Sequence, residues 1–129
     1  MSVEAIARAE GIGVVRQTLG SLEGRMRQES GAWIIEVNQD RSLTAQRFTV
    51  AHELGHHFLG HDTCGTDPVQ ERQANVFAAE LLMPLALVKK VLGTEKRLGQ
   101  LAQCFQVSKE AMRIKLDEQG LLLRLTTFD

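Results

Sequence analysis

The chain of 129 residues is 43% hydrophobic and 24% charged with a formal net charge of -1, the make-up of one globular domain able to bury its own core. That balance excludes a disordered chain and a strongly basic nucleic-acid binder, and no apolar run approaches the roughly 20 residues of a membrane helix. The opening MSVEAIARAEG lacks the charged-then-apolar plan of a signal peptide, and the two cysteines, Cys64 and Cys104, read as reduced thiols, so a cytoplasmic protein is expected.

Ser2 to Glu10 is expected to form a short helix, capped by Ser2 and stopped at Gly11. Three strands should follow in IGVVRQTL, GRMRQES and AWIIEVN. In the last of these Trp33, Ile35 and Val37 alternate with Ile34, Glu36 and Asn38, giving a small, largely antiparallel or mixed sheet over residues 12–38. From about Ser42 to Leu59 the pattern turns helical, with Phe48, Ala51, Gly55, Phe58 and Leu59 near one face and Gly60 as the stop. Asp67 and Pro68 open the next helix, which should run to about Met83, where Pro84 interrupts it. Two or three short helices fill residues 85–119, and LLLRLTTF after Gly120 reads as a terminal strand. A domain boundary, if there is one, falls near Gly93 and Thr94.

The first of the two long helices carries HELGH. Residues four apart on a helix lie one above the other, so His52 and His56 can offer ring nitrogens to one ion. Glu53 sits beside that face, placed to take a proton from a water that the ion activates. The motif arises by accident in on the order of one such chain in a hundred, so its context matters. It falls inside a helix, and Gly55 in mid-helix costs about 1 kcal/mol against alanine, which implies close approach by another segment.

A catalytic zinc requires a third protein ligand and an open position. His61 and Asp62 lie nine and ten residues after His52, near the metzincin spacing, but Leu59 stands where that pattern has glycine. Glu71 is the better candidate, because an antiparallel helix brings its first turns back beside His56. Glu80 lies nine residues further on and out of phase with Glu71. Asn75, one turn after Glu71, is placed to hold a ligand or to pack the helix pair. The pair His57 and His61 repeats the four-residue spacing without carboxylates for a second metal, and His57 reads as a rim residue. The chain has no tyrosine, so His61, His57 or an arginine would have to steady an oxyanion, and His61 and Asn75 are the candidates either for that role or for support behind a ligand.

RFTVAHELGHHFLGH followed by ERQANVFAAELLMP resembles the ImmA/IrrE family of bacterial and phage metallopeptidases. The upstream strands and LAQCFQVSKEAMRIKLDEQGLL fit that layout too, so the resemblance covers nearly the whole chain. It implies an α+β, zincin-like domain over residues 1–129, with a metal-binding core at 1–92 and a helical subregion at 93–129. It also implies one catalytic Zn2+, with Mn or Fe as other occupants, held by His52, His56 and Glu71, with Glu53 as base. Zincin-like enzymes of this kind hold an extended substrate along an edge strand above the motif helix, and Trp33–Asn38 is the strand nominated here. The implied substrate is a protein, a helix-turn-helix repressor whose cleavage triggers a stress or mobile-element response. The rival is a catalytically silent module that keeps the zinc fold and only binds a repressor or toxin; the intact Glu53 counts against it. The last two helices look like a helix-turn-helix themselves. Lys109, Arg113 and Lys115 are offset by Glu110, Asp117 and Glu118, so direct DNA binding is not expected.

Overall fold

The structure is a computed structural model that describes residues 2–61 and 67–129. It is a mixed α+β fold, with a three-stranded sheet and six α-helices among the described residues. Two compact units divide at Ala78 and Ala79, within the third helix. Among the described residues no helix is long and apolar enough to cross a membrane.

The first unit opens with α1 (Val3–Ala9), whose cap Ser2 accepts the Ala5 N–H at 3.1 Å. Strands β1 (Gly13–Gln17), β2 (Gly24–Glu29) and β3 (Ala32–Asn38) follow, and the sheet order is β1-β3-β2. The β2–β3 pair is antiparallel, closed by Ser30 and Gly31 at φ 52 and 82, the backbone that a tight hairpin turn demands. The β1–β3 pair is parallel, so the sheet is mixed, one of the two expected arrangements, and not largely antiparallel. The reason lies in residues 18–23: this link carries the chain over the end of β3, leaving β1 and β2 on opposite edges. Asn38 pins the link by donating from Nδ2 to the carbonyls of Gly20 and Leu22, at 3.0 and 2.8 Å.

Helix α2 (Leu43–Phe58) then lies on the sheet. Ile35, Val37 and Met26 from the strands and Val50, Ala51 and Leu54 from the helix are all buried, forming the apolar core of this unit. The opposite side of β3 is buried as well, which its alternating pattern did not predict. Glu36 there is 1% exposed, covered by Arg25 (Nε at 3.1 Å), Arg27 and Gln17, each hydrogen-bonded to its carboxylate. Burial pushes the Glu36 carboxyl up, but the bonds from Arg27, Arg25 and Gln17 outweigh it and leave the group below its ordinary 4.5. A depressed carboxyl contributes stability above its unfolded value that disappears as pH falls through the folded one. Glu36→Gln should therefore destabilise the protein by about 1–2 kcal/mol at pH 7, the partly exposed arginines keeping the figure modest. Urea melts of both proteins should converge as pH drops below 4.5; a gap that persists in acid means that lost packing, not charge, is responsible.

Helix α3 (Pro68–Leu82) begins where the Asp67 side chain accepts the Val69 N–H at 2.9 Å. Its last turn belongs to the second unit, with α4 (Leu85–Leu92), α5 (Leu98–Phe105), α6 (Lys109–Glu118) and a 3-10 turn at Leu122–Arg124. Met83, Val88, Leu92, Leu101, Met112 and Leu116 form its core. Ser108 caps α6, accepting the Ala111 N–H at 3.0 Å. Lys115 is buried and ion-paired to Glu80 at 2.5 Å, and Arg113 pairs with Glu110 at 2.8 Å, so two of the three cations on α6 are already engaged. The terminal strand expected in LLLRLTTF does not form. Among the described residues a single β-bridge forms there, Arg97 to Thr127, flanked by the Thr126 N–H donating to Lys96 at 2.8 Å and the Leu98 and Gly99 N–H groups donating to Thr127 and Asp129 at 3.0 and 2.8 Å, because the chain beside it turns helical at Leu98 and offers no longer ladder.

Candidate metal centre

The site is assembled by the approach of α2 to α3. A Cβ on Gly55 would lie 3.1 Å from the Ala74 carbonyl oxygen and 3.2 Å from both Ala74 Cα and Phe77 Cβ. A bare glycine backbone therefore admits α3, and the rings of Phe58 and Phe77 stack beside it at 5.7 Å. This approach sets Glu71, in the first turn of α3, opposite the two histidines of α2.

His52 Nε2 lies 3.0 Å from one Glu71 carboxylate oxygen, His56 Nε2 lies 2.9 Å from the other, and the two nitrogens are 3.1 Å apart. Donors bound at 2.0–2.2 Å to a tetrahedral zinc stand roughly 3.3 Å from one another, so this triad fits such an ion with little adjustment. Borderline nitrogen donors with one hard oxygen also suit zinc chemically. On the far side of its ring, His52 Nδ1 meets Asn75 Oδ1 at 2.8 Å. Burial and the charge on His52 lower the His56 pKa against the opposing pull of Glu71, which favours the neutral ring that a ligand requires.

Glu53 is buried and lines the same cleft, of about 400 Å³. Burial raises its carboxyl above the ordinary range; the charge of His52 opposes the rise and that of Glu71 adds to it. A carboxylate tuned upward in a cleft beside a donor triad is matched to accepting and returning a proton. The opposite wall is β2, through Gly24, Arg25 and Met26. A Cβ on Gly24 would come within 2.4 Å of Thr49 Cγ2 and 2.7 Å of the Glu36 carbonyl, so only glycine lets this strand descend onto α2 here. The strand nominated for substrate, Trp33–Asn38, is instead the central one, with a strand paired along each side, so its main chain has nothing to offer a peptide.

The remaining candidates are dispersed. His61 does not line the cleft: its Nδ1 is 3.0 Å from His56 Nδ1 and its Nε2 is 2.8 Å from Gln73 Oε1. His57 Nε2 lies 3.3 Å from Glu10 Oε1, at the C-cap of α1. Glu80 accepts the Leu85 N–H at 3.1 Å and holds Lys115. Asp62, the metzincin-like alternative, and Cys64 lie outside the described residues, and Cys104 is an exposed thiol. Sequence reasoning missed Gln73 and the β2 wall. Gly24, isolated at the start of a strand, was the available signal for the wall.

In an α+β fold, two histidines and a glutamate converging beside a buried glutamate form a candidate metal centre, and the family match puts the domain in a metallopeptidase family. A family model described as the IrrE N-terminal-like domain matches residues 7–117, and the chain belongs to that family, the peptidase M78 or ImmA/IrrE group. It is 29% identical over 135 residues to the metallopeptidase ImmA of Bacillus subtilis, spanning 92% of this chain and 77% of that one. It is 31% identical over 130 residues to the radiation response metalloprotease IrrE of Deinococcus radiodurans, but spans only 39% of that protein. The fold is also that of a solved Mycobacterium tuberculosis transcriptional regulator, with a TM-score of 0.71 at 18% identity, covering 89% of this chain and 40% of that one.

Proposed function

We propose that this chain is a zincin-like, zinc-dependent endopeptidase that works in the cytoplasm on a protein substrate, a helix-turn-helix repressor, to release a stress or mobile-element response. The convergence of His52, His56 and Glu71 in one cleft with buried Glu53 carries the reading. The similarity to the metallopeptidase ImmA and the radiation response metalloprotease IrrE supports peptidase chemistry, and that to IrrE a stress role.

His52, His56 and Glu71 would hold the metal beside the cleft that they line. A zinc ion there supplies Lewis acidity and lowers the pKa of water toward ~7. Glu53 takes the proton from the attacking water and returns it to the leaving amine. Among the described residues β2 pairs only with β3, so its outer edge has main-chain groups to align an extended peptide. Met26 on β2 and Phe48 on α2 give the cleft an apolar lining, and Arg25 on β2 gives it a charge.

Metal content tests the reading. After dialysis against a mild chelator, wild type should retain about one zinc per chain by mass spectrometry, while His52→Ala and Glu71→Ala lose it. Zinc that survives Glu71→Ala rejects this ligand set.

A further inference from the structure

The end of α2 makes a turn with a chemical result at His56. Gly60 sits at φ 71, the left-handed conformation that glycine adopts without strain. The Gly60 N–H donates to the His57 carbonyl at 3.2 Å and the His61 N–H to the His56 carbonyl at 2.9 Å, the paired closure of a Schellman motif. The reversal lays the His61 ring edge-on to His56, with centroids 5.2 Å apart, and joins the two Nδ1 atoms at 3.0 Å. Behind it, Gln73 on α3 offers its side-chain oxygen to His61 Nε2 at 2.8 Å.

The protons along this row are ordered by what each atom can do. An amide oxygen only accepts, so His61 Nε2 carries its hydrogen. In a neutral ring the other nitrogen, Nδ1, is then an acceptor, and the hydrogen between the two rings must come from His56 Nδ1. His56 Nε2 is left with a lone pair, and that is the atom facing Glu71 and His52. We infer that Gln73 and His61 form a two-link relay that holds His56 in the Nδ1–H tautomer with Nε2 as its donor atom, making both of them positioning residues for the metal centre. The inference rests on the metal reading above and adds two residues to it.

The two metal-facing histidines are thus held by different means. Asn75 takes the His52 Nδ1–H directly at 2.8 Å, whereas His56 reaches an amide oxygen only through a second imidazole. The alternative row, with Gln73 turned so that its NH2 donates, would put the hydrogen on His56 Nε2 and block it as a donor. Metal binding and the relay direction therefore select one another. Gln73 is exposed, so water can stand in for its oxygen; no such substitute is as well placed for His61, which is half-buried.

The test uses the whole chain and zinc alone, titrated in competition with a chromophoric chelator, with His52→Ala as the control for lost coordination. His61→Phe, which keeps the ring and removes the acceptor, should weaken zinc binding by about 10–100-fold. Gln73→Leu should weaken it by less, and Gln73→Glu, which only accepts, should retain it. Long-range proton–nitrogen spectra of zinc-loaded wild type should show His56 protonated at Nδ1, with the signature of a bonded hydrogen that disappears in His61→Phe. Melting curves of the zinc-free variants report folding; if His61→Phe does not fold, the order of the two Gln73 variants decides. Wild-type affinity in His61→Phe, or a Gln73→Glu weaker than Gln73→Leu, overturns the relay while the metal reading stands. A wild type that takes up no zinc overturns the metal reading itself.

Discussion

Replacing Glu53 by glutamine should leave zinc in place and remove the proposed hydrolysis. The two side chains match in size, and Glu53 is buried, so the cleft keeps its shape. An amide cannot take a proton from water at neutral pH, and loss of a positioned general base costs about 10²–10⁴-fold in turnover. Cleavage of candidate repressors, followed on gels beside metal content, should show full zinc and a rate lower by that factor. The variant should also melt higher than wild type when both are metal-free. Burial is what raises the Glu53 carboxyl, so the folded state disfavours its charge, and removing that charge relieves a strain held for function. If Glu53→Gln still produces the full biological response, cleavage is not the output, and the silent module that only binds its partner becomes the better account.

Different parts of the molecule were legible for different reasons. The ends of α2 and α3 are local events: Ser42, Gly60, Asp67, Pro68 and Pro84 each act on backbone within a few residues, so sequence suffices to place them. The pairing of β1 is not local. Its direction depends on where residues 18–23 carry the chain, and alternation within a strand is silent about its neighbour. The same blindness made β3 look like a substrate strand when β2 borders the cleft. At the site, a four-residue spacing and the turn-back of the next helix nominated the three residues that converge. The row from Gln73 to His56 lay beyond reach, since it requires the turn at Gly60 to be built before His61 is seen to point backward.

Gly55→Leu should separate the two helices and empty the site. Two of the three atoms that crowd a Cβ at this position, at 3.1 and 3.2 Å, belong to the Ala74 main chain in the middle of α3 and cannot rotate aside. Overpacking of this kind costs about 1–3 kcal/mol, only partly offset by the roughly 1 kcal/mol that glycine forfeits in a helix. The metal centre has less tolerance than the fold. Ala74 lies between Glu71 and Asn75 along α3, so displacing it draws the carboxylate from His56 and the amide from His52 together, at contacts of 2.9 and 2.8 Å. Gly55→Ala separates the two effects: its gain in helix propensity and its crowding nearly cancel in a urea melt, yet zinc affinity should still fall. Zinc bound at wild-type strength by a folded Gly55→Leu protein would show that the donors are set by something other than the approach of these helices, and the distance between α2 and α3 would lose its place as the quantity that makes this a metal site.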